Sequence, residues 1–167
     1  MEGWRPSVFI SYSSRDARAF AELEILLKPL QKTHGLLQTW SDRCITPGAE
    51  WDKQIRAELE RADVVLMLVS RHFLATDYIT DIEIIRAMER AEAGQCLLVS
   101  VILENCGWEK MAFSKYQALP TKAKPILDYK PQRKGWEQVR ERLHTLLKGL
   151  CDTPRPERHT KGRHTKE

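Results

Sequence analysis

The sequence predicts an open α/β fold: a five-stranded parallel sheet in the order 2-1-3-4-5, with helices on both faces. Three observations carry that expectation. Short β-rich runs alternate with amphipathic helical segments along the chain. Two of the runs, "DVVLMLVS" and "CLLVSVIL", are almost continuously apolar, as strands covered on both faces are. At 167 residues and 42% hydrophobic content, the chain is long enough for one sizeable core and short for two.

The elements follow in order. "SVFISY", Ser7 to Tyr12, is the first strand. "SSRDARAFAELEILLKPL" supplies Ser and Asp capping candidates, then Phe20, Leu23, Leu27 and Leu30 at helical spacing. Pro29 removes a backbone donor and is expected to kink or close the last turn. "LLQTW", Leu36 to Trp40, is the second strand, and "SDRCITPGAE" after it has loop chemistry. A helix resumes at about Trp51, the third strand is "DVVLMLVS", and a helix carrying Glu83 leads to the fourth strand, Cys96 to Leu103. "KPILDY" reads as a short fifth strand and "GWEQVRERLHTLLKGL" as the closing helix, with Trp136, Val139, Leu143 and Leu147 in register. Residues 1–150 form one domain. Residues 151–167, with two prolines, a repeated "RHTK" and no large apolar residue, read as a disordered tail or linker.

Charge and cysteine content exclude several classes. The formal charge is +4, but residues 152–167 hold five Lys/Arg against three Asp/Glu, leaving 22 basic and 20 acidic residues elsewhere. That is not the footprint of a nucleic-acid binder. Cys44, Cys96, Cys106 and Cys151 form no CxxC pair and show no zinc-like spacing with histidine. With free thiols and no segment that reads as a signal peptide, a reducing cytoplasm is the expected compartment. "VVLMLV" is too short to cross a bilayer, so no membrane contact is expected.

Common catalytic motifs are missing. There is no GxxxxGK[ST], no GxGxxG after the first strand and no GxSxG. A receiver domain would need an acidic pair after strand one and an Asp ending strand three, where this chain reads "SYSS" and "LVS". His34, His72 and His144 stand in unrelated contexts.

In a sheet of this order, ligands bind outside the carboxyl ends of the strands where strand order reverses, between strands one and three. Ser11, Tyr12 and Ser13 reach that rim from strand one, and Ser70 with "RHFLATDY" from strand three. Glu83 begins the helix that follows. At about 100° per residue, Glu83 shares a side with Ile79, while Ile82, Ile85 and Met88 gather on another side expected to face the core. Periodicity alone therefore permits a solvated Glu83, since Glu is seldom buried without a partner.

Four collinear blocks, "VFISYSSRD", "DRCITPGAEWDKQI", "DVVLMLVSRHFLATDYITDIE" and "GWEQV", resemble the bacterial Toll/interleukin-1 receptor (TIR) domain family from about Ser7 to Leu150. The resemblance implies a flavodoxin-like three-layer fold. It also implies that the loop Ser41 to Glu50 mediates contacts with other TIR domains and borders a nucleotide pocket. Many bacterial and plant members cleave NAD+ at the nicotinamide–ribose bond with one glutamate of the third helix, some forming a cyclic ADP-ribose-type product. That glutamate falls on Glu83. An aromatic residue is common four positions earlier, where this chain has Ile79 with Tyr78 beside it, and Asp81 is the second candidate carboxylate. NAD+ is then substrate, and no separate cofactor is implied.

The expected substrate-binding set is Phe9, Ser11, Tyr12, Ser13, Trp40, Ile45, Trp51 and Tyr78. Serine hydroxyls would serve phosphate or ribose and Tyr12 a ring face, while Trp40 and Trp51, which bracket the loop, would cover adenine or nicotinamide. The plainer readings are strand-end packing for Phe9 and Tyr12, core or interface anchoring for the tryptophans, and solvation for Asp42 and Arg43. Two functions compete: an NAD+ glycohydrolase in bacterial defence or toxicity, and a non-catalytic TIR scaffold that binds other TIR domains through Ser41–Glu50.

Overall fold

Parallel strands need a long crossover between them, usually an α-helix. The chain supplies α-helices up to the fourth strand and two 3-10 turns, Trp108–Lys110 and Ala112–Lys115, between the fourth and fifth. The computed structural model describes residues 5–32, 38–40, 51–77 and 79–153. Five parallel strands form one sheet in the order β2-β1-β3-β4-β5: β1 Ser7–Ser11, β2 Gln38–Trp40, β3 Val64–Val69, β4 Leu97–Ile102 and β5 Gln117–Leu119. The fold class and strand order are those expected from the sequence. All six residues of β3 are buried, as a central strand between two helical layers must be.

Side chains alternate across a strand, and the two faces separate accordingly. Val8, Ile10, Leu66, Leu68, Val99 and Val101 pack under α1 (Ala17–Lys32) and α5 (Arg133–Cys151). Phe9, Val65, Met67, Val69, Leu98 and Ile102 pack on the other face with Ile55 and Leu59 of α2 (Trp51–Arg61). Phe73 of the single turn α3 (Arg71–Leu74) and Ile84 and Ala87 of α4 (Ile84–Glu92) complete that layer. Helix α1 runs through Pro29 to Lys32, so the proline does not close it at that position.

Two expectations need correction. The fifth strand is Gln117–Leu119 and not "KPILDY", whose Ile126–Asp128 forms a 3-10 turn. Pro125 has no N–H for a ladder, and Ile126 is held instead in the α1/α5 core. The side of the helix around Glu83 also differs from expectation, except at Met88, which does pack against that core. Glu83 (7% exposed) and Ile79 (5%) face inward, and Ile85 is 46% exposed. An uninterrupted wheel already groups Ile79, Glu83, Ala87 and Arg90 within about 80°. The pairing of Glu83 with Ile79 on one side therefore holds, and what differs is which side meets the core. Ile79–Glu83 itself is a π-helical turn preceding α4. Of the two amphipathic sides, the one bearing Ile84 and Ala87 found the sheet.

Candidate functional site

The site lies at the carboxyl ends of β1 and β3, where strand order reverses. A cavity of about 170 Å³ opens there, lined by Phe9, Ser11, Tyr12, Ser13, Ile55, Thr76, Ile79 and Glu83 among others. Five residues expected from the sequence therefore meet: Phe9, Ser11, Tyr12, Ser13 and Glu83. Thr76 and Ile55 were missed. Thr76 stands in the connection already directed to the rim, but nothing in the sequence distinguishes it from its neighbours.

Glu83 is buried because it has a partner. The Ser11 hydroxyl donates to Glu83 Oε2 across 72 residues of sequence, one of the donors a buried carboxylate requires. Parity explains the meeting: Ser11 shares the α2/α4 side of β1 with Phe9, whereas Ile10 belongs to the opposite layer. Tyr12 packs with that opposite layer, its ring stacked on Phe20 at a centroid distance of 4.2 Å. Phe20 thus covers one face of the Tyr12 ring, the strand-end packing also expected for it, while Tyr12 remains in the cavity lining. Ser13 is buried, and its Oγ accepts from the Arg15 backbone N–H at 3.3 Å.

The second candidate carboxylate is placed differently. Asp81 is exposed and takes a 3.4 Å hydrogen bond from Thr80 Oγ1. Trp40 ends β2 and Trp51 begins α2, but their side chains, with Ile45, the rest of residues 41–50, and Tyr78, lie outside the described residues.

Neighbouring polar contacts fix the rim. Ser70 Oγ donates to Asp16 and accepts from the Phe73 backbone N–H at 3.1 Å, tying the end of β3 to the turn after β1. Below it, Arg90 is buried and donates to the Leu59 and Ala62 carbonyls, both at 2.7 Å, and to the Gln95 carbonyl at 3.3 Å. It thereby caps the carboxyl end of α2, where a cation also suits the helix dipole. On the surface, Arg86 bridges Glu60 of α2 and Glu89. Its hydrogen bond holds the Glu60 carboxyl below the ordinary range, and these carboxylates raise Arg86 in turn. Burial pushes the Cys96 thiol up, which disfavours the nucleophilic thiolate. Among the described residues, no cluster of three or more His, Cys, Asp or Glu is placed to hold a metal ion, and no helix is long and apolar enough to cross a membrane.

A family model described as the TIR domain matches residues 8–143. The chain belongs to the TIR domain family. The match takes in the cavity from Phe9 to Glu83 and lies within the domain expected over residues 1–150. The uncharacterized protein y4lF of Sinorhizobium fredii is 39% identical over 134 residues, covering 80% of this chain and 41% of that protein. This TIR chain thus spans about two fifths of that relative's length. The crystal structure of the TIR domain of the Toll-related receptor TRR-2 from Hydra magnipapillata aligns with 82% of this chain and 97% of that one, at 15% identity and a TM-score of 0.48.

Proposed function

We propose that this TIR domain is an NAD+ glycohydrolase that cleaves the nicotinamide–ribose bond with Glu83 as its catalytic carboxylate. The observation that carries the reading is a buried carboxylate in a cavity at the topological switch point, held there by a hydroxyl. One carboxylate suffices for this reaction. Ordinary glycoside hydrolysis uses two because the departing alkoxide needs a proton while the oxocarbenium-like sugar needs an anion or nucleophile. Nicotinamide departs from a cationic pyridinium as a neutral amine, so no general acid is needed. A single anion against the ribosyl carbon favours the transition state, and a partly closed, low-dielectric site strengthens it.

The cavity, at about 170 Å³, is below the roughly 300–1,000 Å³ of pockets that enclose a drug-sized ligand. In this reading it takes the nicotinamide–ribose end of NAD+, with the rest of the dinucleotide outside it. Ser13, whose Oγ accepts from Arg15 N–H, retains its hydroxyl hydrogen for a ribose or phosphate oxygen. Self-association through residues 41–50 belongs to the same reading, because contacts made by that loop would extend a partial site.

The test is incubation of the protein with NAD+ over a wide dilution series, with chromatography of the products. Nicotinamide release with linear or cyclic ADP-ribose is expected, and turnover per molecule should rise with protein concentration. Glu83→Gln should lower turnover at least about 100-fold with an unchanged circular dichroism spectrum. Absence of turnover at every concentration would leave the scaffold function in its place. Wild-type turnover in folded Glu83→Gln would move the role to another carboxylate, Asp81 first.

A further inference from the structure

The sequence assigned the Ser11 hydroxyl to substrate, but the structure gives its proton to Glu83. Serine has one O–H to donate, and Ser11 donates it to Glu83 Oε2. Both residues are buried, Ser11 at 3% and Glu83 at 7% exposure. Their backbones differ in kind. Ser11 sits on β1, between β2 and β3 in the sheet and in register with Met67 of β3. Glu83 ends a five-residue π-helical turn, an element that is rare and found mostly as single turns within α-helices.

A glutamate side chain has three rotatable bonds, so its backbone alone does not fix where its carboxylate points. A donor on the sheet anchors one oxygen and narrows the orientations open to the carboxyl group, and so the directions in which the second oxygen can point. Catalysis depends steeply on such placement, with a displacement of about 1 Å able to cost on the order of 100-fold in rate.

We infer that Ser11 is a positioning residue, which aims the Glu83 carboxylate at the ribosyl carbon and does not itself bind NAD+. The inference rests on the hydrolase reading above. It predicts a division of kinetic effects that a substrate-binding serine would not produce. Losing an interaction that matters only in the transition state lowers kcat and kcat/KM equally, whereas losing a uniform substrate contact raises KM alone.

The experiment compares wild type, Ser11→Ala, Ser11→Thr and Glu83→Gln in NAD+ turnover, with thermal melts on each. Ser11→Ala should lower kcat about 10- to 100-fold with KM changed by less than about twofold. Ser11→Thr, which restores the hydroxyl on a strand-compatible side chain, should recover most of the rate. A raised KM at unchanged kcat would make Ser11 a substrate ligand and overturn the inference, as would an unaltered Ser11→Ala enzyme. So would failure of a folded Ser11→Thr to recover any rate. Carbon-13 NMR of the Glu83 carboxyl, assigned by its disappearance in Glu83→Gln, supplies a readout independent of activity. That resonance should move in Ser11→Ala and return in Ser11→Thr. A resonance that stays fixed in Ser11→Ala would remove the contact and the inference together. An inactive wild type overturns the hydrolase reading and with it the positioning role, while the resonance still reports separately whether Ser11 holds the carboxylate.

Discussion

The two helical layers solve different problems. On one face of the sheet, α1 and α5 are regular helices of 16 and 19 residues. Among the described residues their core with β1, β3 and β4 is built from hydrophobic side chains. On the other face, α3 has four residues, a π-helical turn precedes α4, and α4 has nine residues. That layer also takes in the buried charges Glu83 and Arg90. The difference teaches where stability and chemistry reside. Long amphipathic helices anchor the sheet through their apolar faces, so the opposite layer can hold groups that are expensive to bury.

The comparison is broken most directly from the apolar side. Leu143→Ala, at a fully buried position of α5, should destabilise the domain by about 3 kcal/mol in urea melts. NAD+ turnover per folded molecule should stay at the wild-type level. A loss below about 1 kcal/mol would show that this layer is not the anchor.

A smaller effect is expected from Arg90→Lys. Arg90 serves the carbonyls of Leu59 and Ala62 with one guanidinium nitrogen and that of Gln95 with the other, so a lysine, with a single nitrogen, cannot keep all three acceptors paired. A loss of about 2 kcal/mol is expected, and full stability in Arg90→Lys would reduce Arg90 to a charge at a helix terminus.

Glu83→Gln sharpens the contrast further. Removing the buried charge should leave stability unchanged or raise it by up to about 1 kcal/mol while turnover collapses. Destabilisation by more than about 2 kcal/mol would instead make Glu83 a structural residue.

The smallest effect is electrostatic and lies on the surface between α2 and α4. Glu60 is held below its ordinary value of 4.5 by the hydrogen bond from Arg86. Its contribution is therefore present above about pH 4.5 and is lost as pH falls through the depressed value. The two side chains are 47% and 40% exposed, so screening limits the term to about 0.5 kcal/mol or less. Glu60→Gln should flatten this part of the stability profile below pH 4.5, and 1 M salt should weaken it. A profile unchanged by either would remove Arg86–Glu60 as a tie between α2 and α4.

Much of the fold was legible because its signals are local. The continuous apolar runs of β3 and β4 announced buried parallel strands, and the heptad-like spacing of Trp136, Val139, Leu143 and Leu147 announced α5. β5 was misplaced because a three-residue strand, Gln117–Leu119, carries too little pattern to compete with the apolar "KPILDY". At the site, the rim serines could be placed from topology, and Glu83 from resemblance. The burial of Glu83 could not be read, because it depends on a hydroxyl 72 residues away, and the wheel offers two apolar sides without saying which one meets the sheet. Arg90 was missed for a related reason. Its partners are backbone carbonyls, and these leave no signature in side-chain identity.

At the opposite end of the sheet, Asp63 receives the Ser7 backbone N–H on its side chain and returns its own N–H to the Ser7 carbonyl, both at 2.8 Å. Its carbonyl accepts from Leu97 N–H at 2.9 Å. One residue thus ties the first residues of β1 and β4 to the start of β3. A hairpin inherits its alignment from the turn that joins its strands, but parallel neighbours have no such joint. Asp63 does that work by setting the origin from which β1 is counted. Four residues later, roughly 13 Å away at 3.3 Å per residue, the count delivers Ser11 to Glu83. A slip of a single position would turn Ser11 to the other face and present a neighbouring side chain to the carboxylate. The chemistry proposed at the top of the sheet is thus aligned from its bottom.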